Sequence, residues 1–418
     1  MSLSRRRFLQ GSAAGAAGTA LAGGVLIGGA RADADAATSA AVPEQDAYPF
    51  HGDHQSGILT PGPRTKQPFS CFAAFDTVAP GSSASRNVAA LADLMQTLTG
   101  RARFLTGGGV PPDLGVDQPP SDSDVLGPVI PRDGLTVTVS ASSSLFDDRY
   151  GLASLKPRKL TPMRVFPNDS PDPAWLGGDL LLQLCANHPD TIHHTIRDIT
   201  RHTRGAMQLR WKIEGYASPP RPAGTPRNLL GFKDGTANPV GSLASELVWV
   251  DDPAEPAWAH GGSYQVVRII RMLVEFWDRV SINEQEGMFG RRRDTGAPLD
   301  GNSEFDKPDY AADPHGNVIP LDSHIRLANP RTKATADQRI IRRSYNYDLG
   351  LDLNGNIQAG HVFVAYQQDV HRQFETIQTR LINEPLVDYV QPFGGGYFFA
   401  LPGVSGARDW YGRRLLAA

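Results

Sequence analysis

The sequence predicts an α+β chain made of two ferredoxin-like βαββαβ halves. Three observations predict it. Short apolar or alternating runs of strand length recur between stretches whose apolar residues fall every three or four positions. Strand, helix, strand, strand, helix, strand is met twice in that order. Between the two rounds stands Pro219-Pro220-Arg221-Pro222, a break that neither a helix nor a central strand tolerates.

The chain opens with Arg5-Arg6-Arg7-Phe8-Leu9-Gln10, then a mildly apolar Ala/Gly run to Gly29, then Ala30-Arg31-Ala32 with small residues at cleavage positions. Residues 1–32 read as a twin-arginine export signal, with periplasmic or extracellular, cell-envelope placement as the expectation. A membrane anchor is the competing reading, and the run is too rich in Gly and Ala to favour lipid strongly. Twin-arginine export carries folded cargo, which hints at a cofactor picked up before export. Residues 33–60 read as a linker and N-terminal arm.

The first half spans 61–218. Ser70 to Asp76 is a short strand, and a helix follows over about 85–99, with Val88, Leu91, Met95 and Leu98 on one face and Gly100 at its end. Residues 101–134 are a Gly/Pro-rich loop, and 135–139 alternate as a strand. A strand over 179–185, a helix from Pro189 with Ile192, Ile196 and Ile199 inward, and a strand over 207–213 complete the round. The second half spans 223–418: a strand over 264–272, a helical stretch through Phe276, strands over 339–347 and 361–367, a helix near 370–381 and a strand over 397–401. The polar interruption at 286–338 is long for a compact domain, and wrapping a ligand is the usual reason for such a loop. Facing sheets from the two halves would leave a cavity between them for a flat cofactor.

Composition narrows the function. Of 418 residues, 41 are basic and 44 acidic, a net charge of −3, and loss of the four arginines before Asp33 takes it to −7. That balance argues against nucleic acid as a partner. Two cysteines cannot build a four-Cys zinc site, and Cys-x-x-Cys-His, the attachment signal for c-type haem, does not occur. Cys71 and Cys185 both fall in expected strands; inert buried thiols are one reading, and a disulfide is another if the first and third strands pair.

Four segments carry the candidate chemistry. Gly231-Phe232-Lys233-Asp234-Gly235-Thr236-Ala237-Asn238-Pro239 suits a tight turn presenting backbone N–H groups and one carboxylate, although a plain surface turn would look similar. Asp322-Ser323-His324-Ile325-Arg326-Leu327-Ala328-Asn329-Pro330-Arg331 offers an imidazole for iron and guanidinium groups for carboxylates, against the reading of a solvent-facing loop histidine. In Arg339 to Tyr347, alternation puts Arg342 and Arg343 on opposite faces, one toward a cavity, and a buried arginine needs an anionic partner. Asp388 precedes the Gly-rich strand Phe393 to Ala400, where a carboxylate can accept a hydrogen bond from a ligand histidine. His193, His194 and His361 read as structural.

At these segments, from about His51 to Gly403, the chain resembles the dye-decolourising peroxidases, particularly the twin-arginine-exported type also called deferrochelatase/peroxidase. The resemblance implies a dimeric α+β barrel fold and haem b as cofactor, with His324 as proximal iron ligand and Asp388 orienting it. It implies Asp234 as distal acid and Arg342 as distal arginine. Gly235, Thr236, Ala237, Asn329, Pro330 and Arg331 match segments that line the haem and its propionates. Some members carry Asn two residues beyond the distal arginine, and here Ser344 stands there. Hydrogen peroxide and small aromatic reductants such as dyes or phenols are the implied substrates, with Asp234 moving the proton between the peroxide oxygens and an acidic optimum for dyes. Bulky donors would need surface relays, for which Tyr389 and Tyr345 are candidates beside the reading that each only packs. Release of iron from haem, with iron-uptake partners, is the alternative role. The oligomeric state stays open, a homo-oligomer among the options.

Overall fold

In the computed structural model the described residues are 47–62 and 64–417, so the export signal and the first part of the linker lie outside them. The first half forms β1 (Phe69–Thr77), α1 (Ala84–Gly107), β2 (Thr136–Ser142), β3 (Leu180–Ala186), α2 (Pro189–His202) and β4 (Met207–Tyr216), the βαββαβ order read from the sequence. Helix α1 runs through Gly100, because nothing crowds that position and Ala102 and Leu105 carry the buried stripe of Leu91, Leu94, Met95 and Leu98 onward. It stops at Gly108.

The second half begins with α3 (Ser242–Val248), β5 (Ser263–Met272) and α4 (Val274–Trp277). The long polar interruption is not bare loop: it holds the end of α5 (Ile282–Phe289), which starts on a Ser281/Glu284 capping box, and α6 (His324–Ala328). Then come β6 (Ile341–Arg342), β7 (Tyr345–Leu351), β8 (Ile357–Gln367), a π-helical turn His371–Glu375 leading into α7 (Thr376–Arg380), β9 (Val390–Ala400) and α8 (Arg413–Leu416). The strand expected over 339–347 is thus split. Its register against β8 is the same on both sides of the split, Arg342 opposite Ala365 and Tyr345 opposite Val362. Between them the Ser344 hydroxyl accepts from the Val364 N–H, replacing a ladder bond. Strand β9 starts seven residues earlier than its apolar run suggests. Gly395 (φ +111°) lets it cross β5, where a Cβ would lie 2.0 Å from the Val267 carbonyl oxygen.

The strands form one sheet in the order β5-β9-β2-β3-β1-β4-β7-β8, with β8 pairing back to β5, so eight strands close a barrel and β6 extends the β7 edge. Both halves contribute, and they join at β2–β9 and β4–β7. The barrel interior is filled by side chains from both halves, among them Phe72, Trp211, Val267, Tyr345, Tyr366 and Phe398. This corrects the expected cofactor cavity between facing sheets: alternation along closed strands packs the inner face solid. On the outer face of the first half, α1 and α2 cover β1 and β3 in a second apolar core. The corresponding outer face of the second half, on β5 and β8, is where space remains.

Cys71 and Cys185 are buried free thiols. Strands β1 and β3 do pair, but Cys185 sits opposite Ser70 and Cys71 opposite Leu184. An offset of one residue puts the two side chains on opposite faces, Cys71 in the outer core and Cys185 inside the barrel. The disulfide alternative fails on register.

Candidate active site

The space on the outer face of the second half is a cavity walled by the sheet on one side and by helices and the 286–338 segment on the other. Strand residues Ile270, Met272 and Phe363 and helical or loop residues Phe289, Ile377, Leu381 and Leu386 make its apolar lining. Asp234, Thr236, Ala237, His324, Asn329, Arg331 and Arg342 all line it, and Val390 and Pro392 add the fourth segment, although Asp388 itself stays outside. Gly235 and Pro330 are not wall residues; Gly235 adopts φ +93° in the turn that separates Asp234 from Thr236.

His324 is the first residue of α6, held at the helical wall. Arg380 caps that short helix, its guanidinium donating to the Leu327 and Ala328 carbonyls. The imidazole Nδ1 lies 2.6 Å from Glu384 Oε2, and the Phe289 ring packs beside it. The orienting carboxylate is therefore Glu384 and not Asp388. Glu384 is flanked by Leu381 and Leu386, which are buried and carry it under α6, whereas Asp388, four residues on, is exposed and does not line the cavity. With Nδ1 engaged by a carboxylate, Nε2 is the nitrogen left for a ligand.

The sheet wall carries the acid. Phe232 anchors the turn by stacking on Phe289 at 3.9 Å, and the Asp234 N–H donates to the Pro226 carbonyl. Asp234 Oδ1 lies 2.7 Å from Arg342 Nη1, and Oδ2 lies 3.3 Å from His361 Nε2. Asn238, at the end of the same turn, clamps the Arg342 backbone at both ends: its amide donates to the Arg342 carbonyl at 2.8 Å and its oxygen accepts from the Arg342 N–H at 2.9 Å. Two distant segments are thereby one unit. Burial would raise the Asp234 pKa, but Arg342, His361 and half-buried Lys66 together hold it well below the usual carboxylate range. Arg343 turns inward, fully buried, and donates to the Pro61 carbonyl and Gln67.

Cations gather at one end. Arg291, Arg331 and Arg339 line the cavity with Arg342, and Arg339 Nε is buried with no partner among the described residues. Burial lowers the Arg291 pKa and Arg331 lowers it further, so the cluster calls for anionic groups. An apolar cavity with a carboxylate-braced imidazole on one wall and an anion-seeking rim fits haem and its two propionates, and His324, Arg331 and Arg339 are the residues that would hold it.

Sequence reasoning missed Glu384, His361 and Arg291. Of the two acids near the helix end, Glu384 had apolar neighbours at the spacing that buries it, a signal overlooked. His361 alternates with inward Val362 and Val364, which sends it to the cavity face. The relay candidates part company: Tyr345 is inside the barrel with its hydroxyl 3.5 Å from Cys185 Sγ, and Tyr389 packs edge-on against Trp277, which meets Phe289.

Comparison with known proteins gives the family. The N-terminal and C-terminal models of the Dyp-type peroxidases match residues 55–217 and 225–405. A protein named deferrochelatase from Escherichia coli O157:H7 is 48% identical, with 99% of this chain and 97% of the relative covered. A DyP-type peroxidase from Cellulomonas bogoriensis superposes with a TM-score of 0.78 at 35% identity, over 89% of this chain and 98% of that one. Ferric DtpA from Streptomyces lividans gives 0.76 at 32% identity, over 89% and 97%. Matched in both halves and along nearly its whole length, and with a cavity fitted to haem, this chain belongs to the Dyp-type peroxidases, haem-dependent oxidoreductases.

Proposed function

We propose that the protein reduces hydrogen peroxide and oxidises aromatic one-electron donors, using haem b held non-covalently by His324. Bound haem supplies a redox-active iron that accepts and returns the oxidising equivalents of peroxide. Every other task falls to the chain. Glu384 accepts the His324 Nδ1 proton, which fixes the tautomer and keeps Nε2 electron-rich. The Asp234 carboxylate is ionised at working pH, so it can take a proton from one peroxide oxygen and deliver it to the other. Arg342, 2.7 Å from that carboxylate, supplies positive charge where negative charge develops on the departing oxygen. Asn238 keeps it there.

The observation that carries the reading is the Asp234–Arg342–His361 cluster in the same apolar cavity as the Glu384-braced histidine. Its test is the absorption spectrum of the purified chain with and without His324→Ala. A Soret band lost in the variant supports the assignment; colourless wild-type protein that refuses added hemin defeats it.

Release of iron from haem is a second reading, favoured by the name of the 48% identical relatives. Free protoporphyrin appearing in haem-loaded protein would support it. Export by the twin-arginine route belongs to the same proposal, on Arg5-Arg6-Arg7-Phe8-Leu9. Replacing Arg5, Arg6 and Arg7 by Lys should retain the protein in the cytoplasm.

A further inference from the structure

A second cavity opens on the seam between the two halves, where the ends of β2 and β3 meet β5 and β9. It is a cleft, open to solvent past Val165, and its inner end is Arg268. Arg268 and Pro392 line this cleft and also line the haem cavity, so the partition between the two is one side chain thick. Arg268 is only 2% exposed. Its guanidinium is paired with Asp169 and lies over the Phe166 and Phe374 rings, while Nη1 has no partner among the described residues. A buried donor left unpaired in a cleft wall asks for a ligand acceptor.

The lining says which ligand. Met163, Val165 and Phe393 give it apolar and aromatic surface. Its charges cancel in pairs: Arg149 with Asp179 at 3.0 Å, Arg210 with Asp76 at 3.0 Å, and Arg268 with Asp169. This balance contrasts with the cationic end of the haem cavity and gives no reason for an anion to enter. Clefts at the seam between two halves, apolar with a few convergent polar groups, are common ligand sites.

We infer that this cleft is the docking site for small neutral phenols serving as electron donors, a reading that rests on the peroxidase function proposed above. The phenol ring lies on the apolar wall and its oxygen accepts from the Arg268 guanidinium. Donor and acceptor are then separated by a single layer of side chains, and no surface relay is required for these substrates. Each phenol gives up one electron and its hydroxyl proton to become a phenoxyl radical; two phenols reduce one hydrogen peroxide to two waters, and the two protons released to water at the open mouth balance the two taken up in forming those waters.

The test uses haem-loaded enzyme and guaiacol. Val165→Trp and Pro171→Trp, both at exposed positions on the cleft, fill it from the rim without touching the buried Arg268–Asp169 pair. Each should raise the guaiacol KM about 10-fold or more, the discrimination typical of a blocked apolar pocket. The bimolecular reaction with peroxide, measured without donor, sets the reference. Guaiacol proton relaxation by the ferric iron reports docking directly and should fall in both variants. Unchanged KM and unchanged relaxation in both would overturn the cleft assignment. Tighter binding of phenolsulfonate than of guaiacol would overturn its neutral-donor specificity. Guaiacol that docks in the wild type by relaxation yet is never oxidised would sink the peroxidase reading and leave the docking site standing.

Discussion

His324 Nδ1 and Glu384 Oε2 stand 2.6 Å apart, and the carboxylate is the more buried of the two. A buried carboxylate facing one imidazole nitrogen withdraws that nitrogen from any other task and pushes electron density toward the other. Glu384→Gln should therefore keep the fold, weaken haem retention by ~10–100-fold and raise the iron reduction potential. Hemin titration and spectroelectrochemistry measure both. Asp388→Asn, at an exposed position, should change neither.

Asp234→Asn removes the proton carrier while keeping its size. The second-order reaction with hydrogen peroxide, followed by stopped flow, should slow by ~10²–10⁴-fold. An unchanged rate would take Asp234 out of the mechanism.

The pH dependence follows from the same carboxylate. Its folded pKa lies below the ordinary carboxylate value of about 3.9, because Arg342, His361 and Lys66 outweigh burial. The contribution to stability is thus present above that ordinary value and lost only as pH falls through the lower, folded one. In the wild type the peroxide reaction should hold its rate down to mildly acidic pH, which permits an acidic optimum with dyes. Arg342→Leu removes the largest single positive influence, so its acid limb should move to higher pH. A limb that stays put would mean another group sets it.

How far the fold was legible follows from where its information is local. The βαββαβ order rests on apolar periodicity within single segments, and Leu91, Met95 and Leu98 on α1 or Ile192, Ile196 and Ile199 on α2 carry it plainly. Barrel closure does not, because the β5–β8 pairing joins residues about a hundred positions apart and leaves no local mark. The site divides the same way. Asp234, His324 and Arg342 sit in distinctive segments. Glu384 and His361 join the site only by what they face across the cavity, so a histidine amid valines looks structural, and the acid beside the glycine strand attracted an expectation that the acid beside Leu386 fits, since it is the one in contact with His324.

Cys71 and Cys185 show what register decides. The pairing of β1 with β3 brings them to neighbouring rungs of the ladder, yet opposite faces keep their side chains apart, and burial pushes the Cys71 thiol up to about 12. The native protein should be inert to thiol reagents even after aerobic purification, and denaturation without reductant should expose two titratable thiols. Fewer than two would mean that a bond forms after all.

Asn238 closes two backbone hydrogen bonds on Arg342 from a position 4% exposed. Asn238→Ala leaves the Arg342 N–H and carbonyl without those partners in a place where little water can replace them, a cost of ~1–3 kcal/mol. Because β6 is only two residues long and held otherwise by β8, the loss falls on the segment that aims the guanidinium. Thermal unfolding should therefore show a modest drop, while the peroxide reaction falls by more than that drop explains. Asn238→Asp keeps the acceptor for the Arg342 N–H but loses the donor to its carbonyl, so it should sit between wild type and alanine in both measurements. If Asn238→Ala lowers stability alone and leaves the peroxide rate untouched, Arg342 does not depend on this clamp for its position beside Asp234.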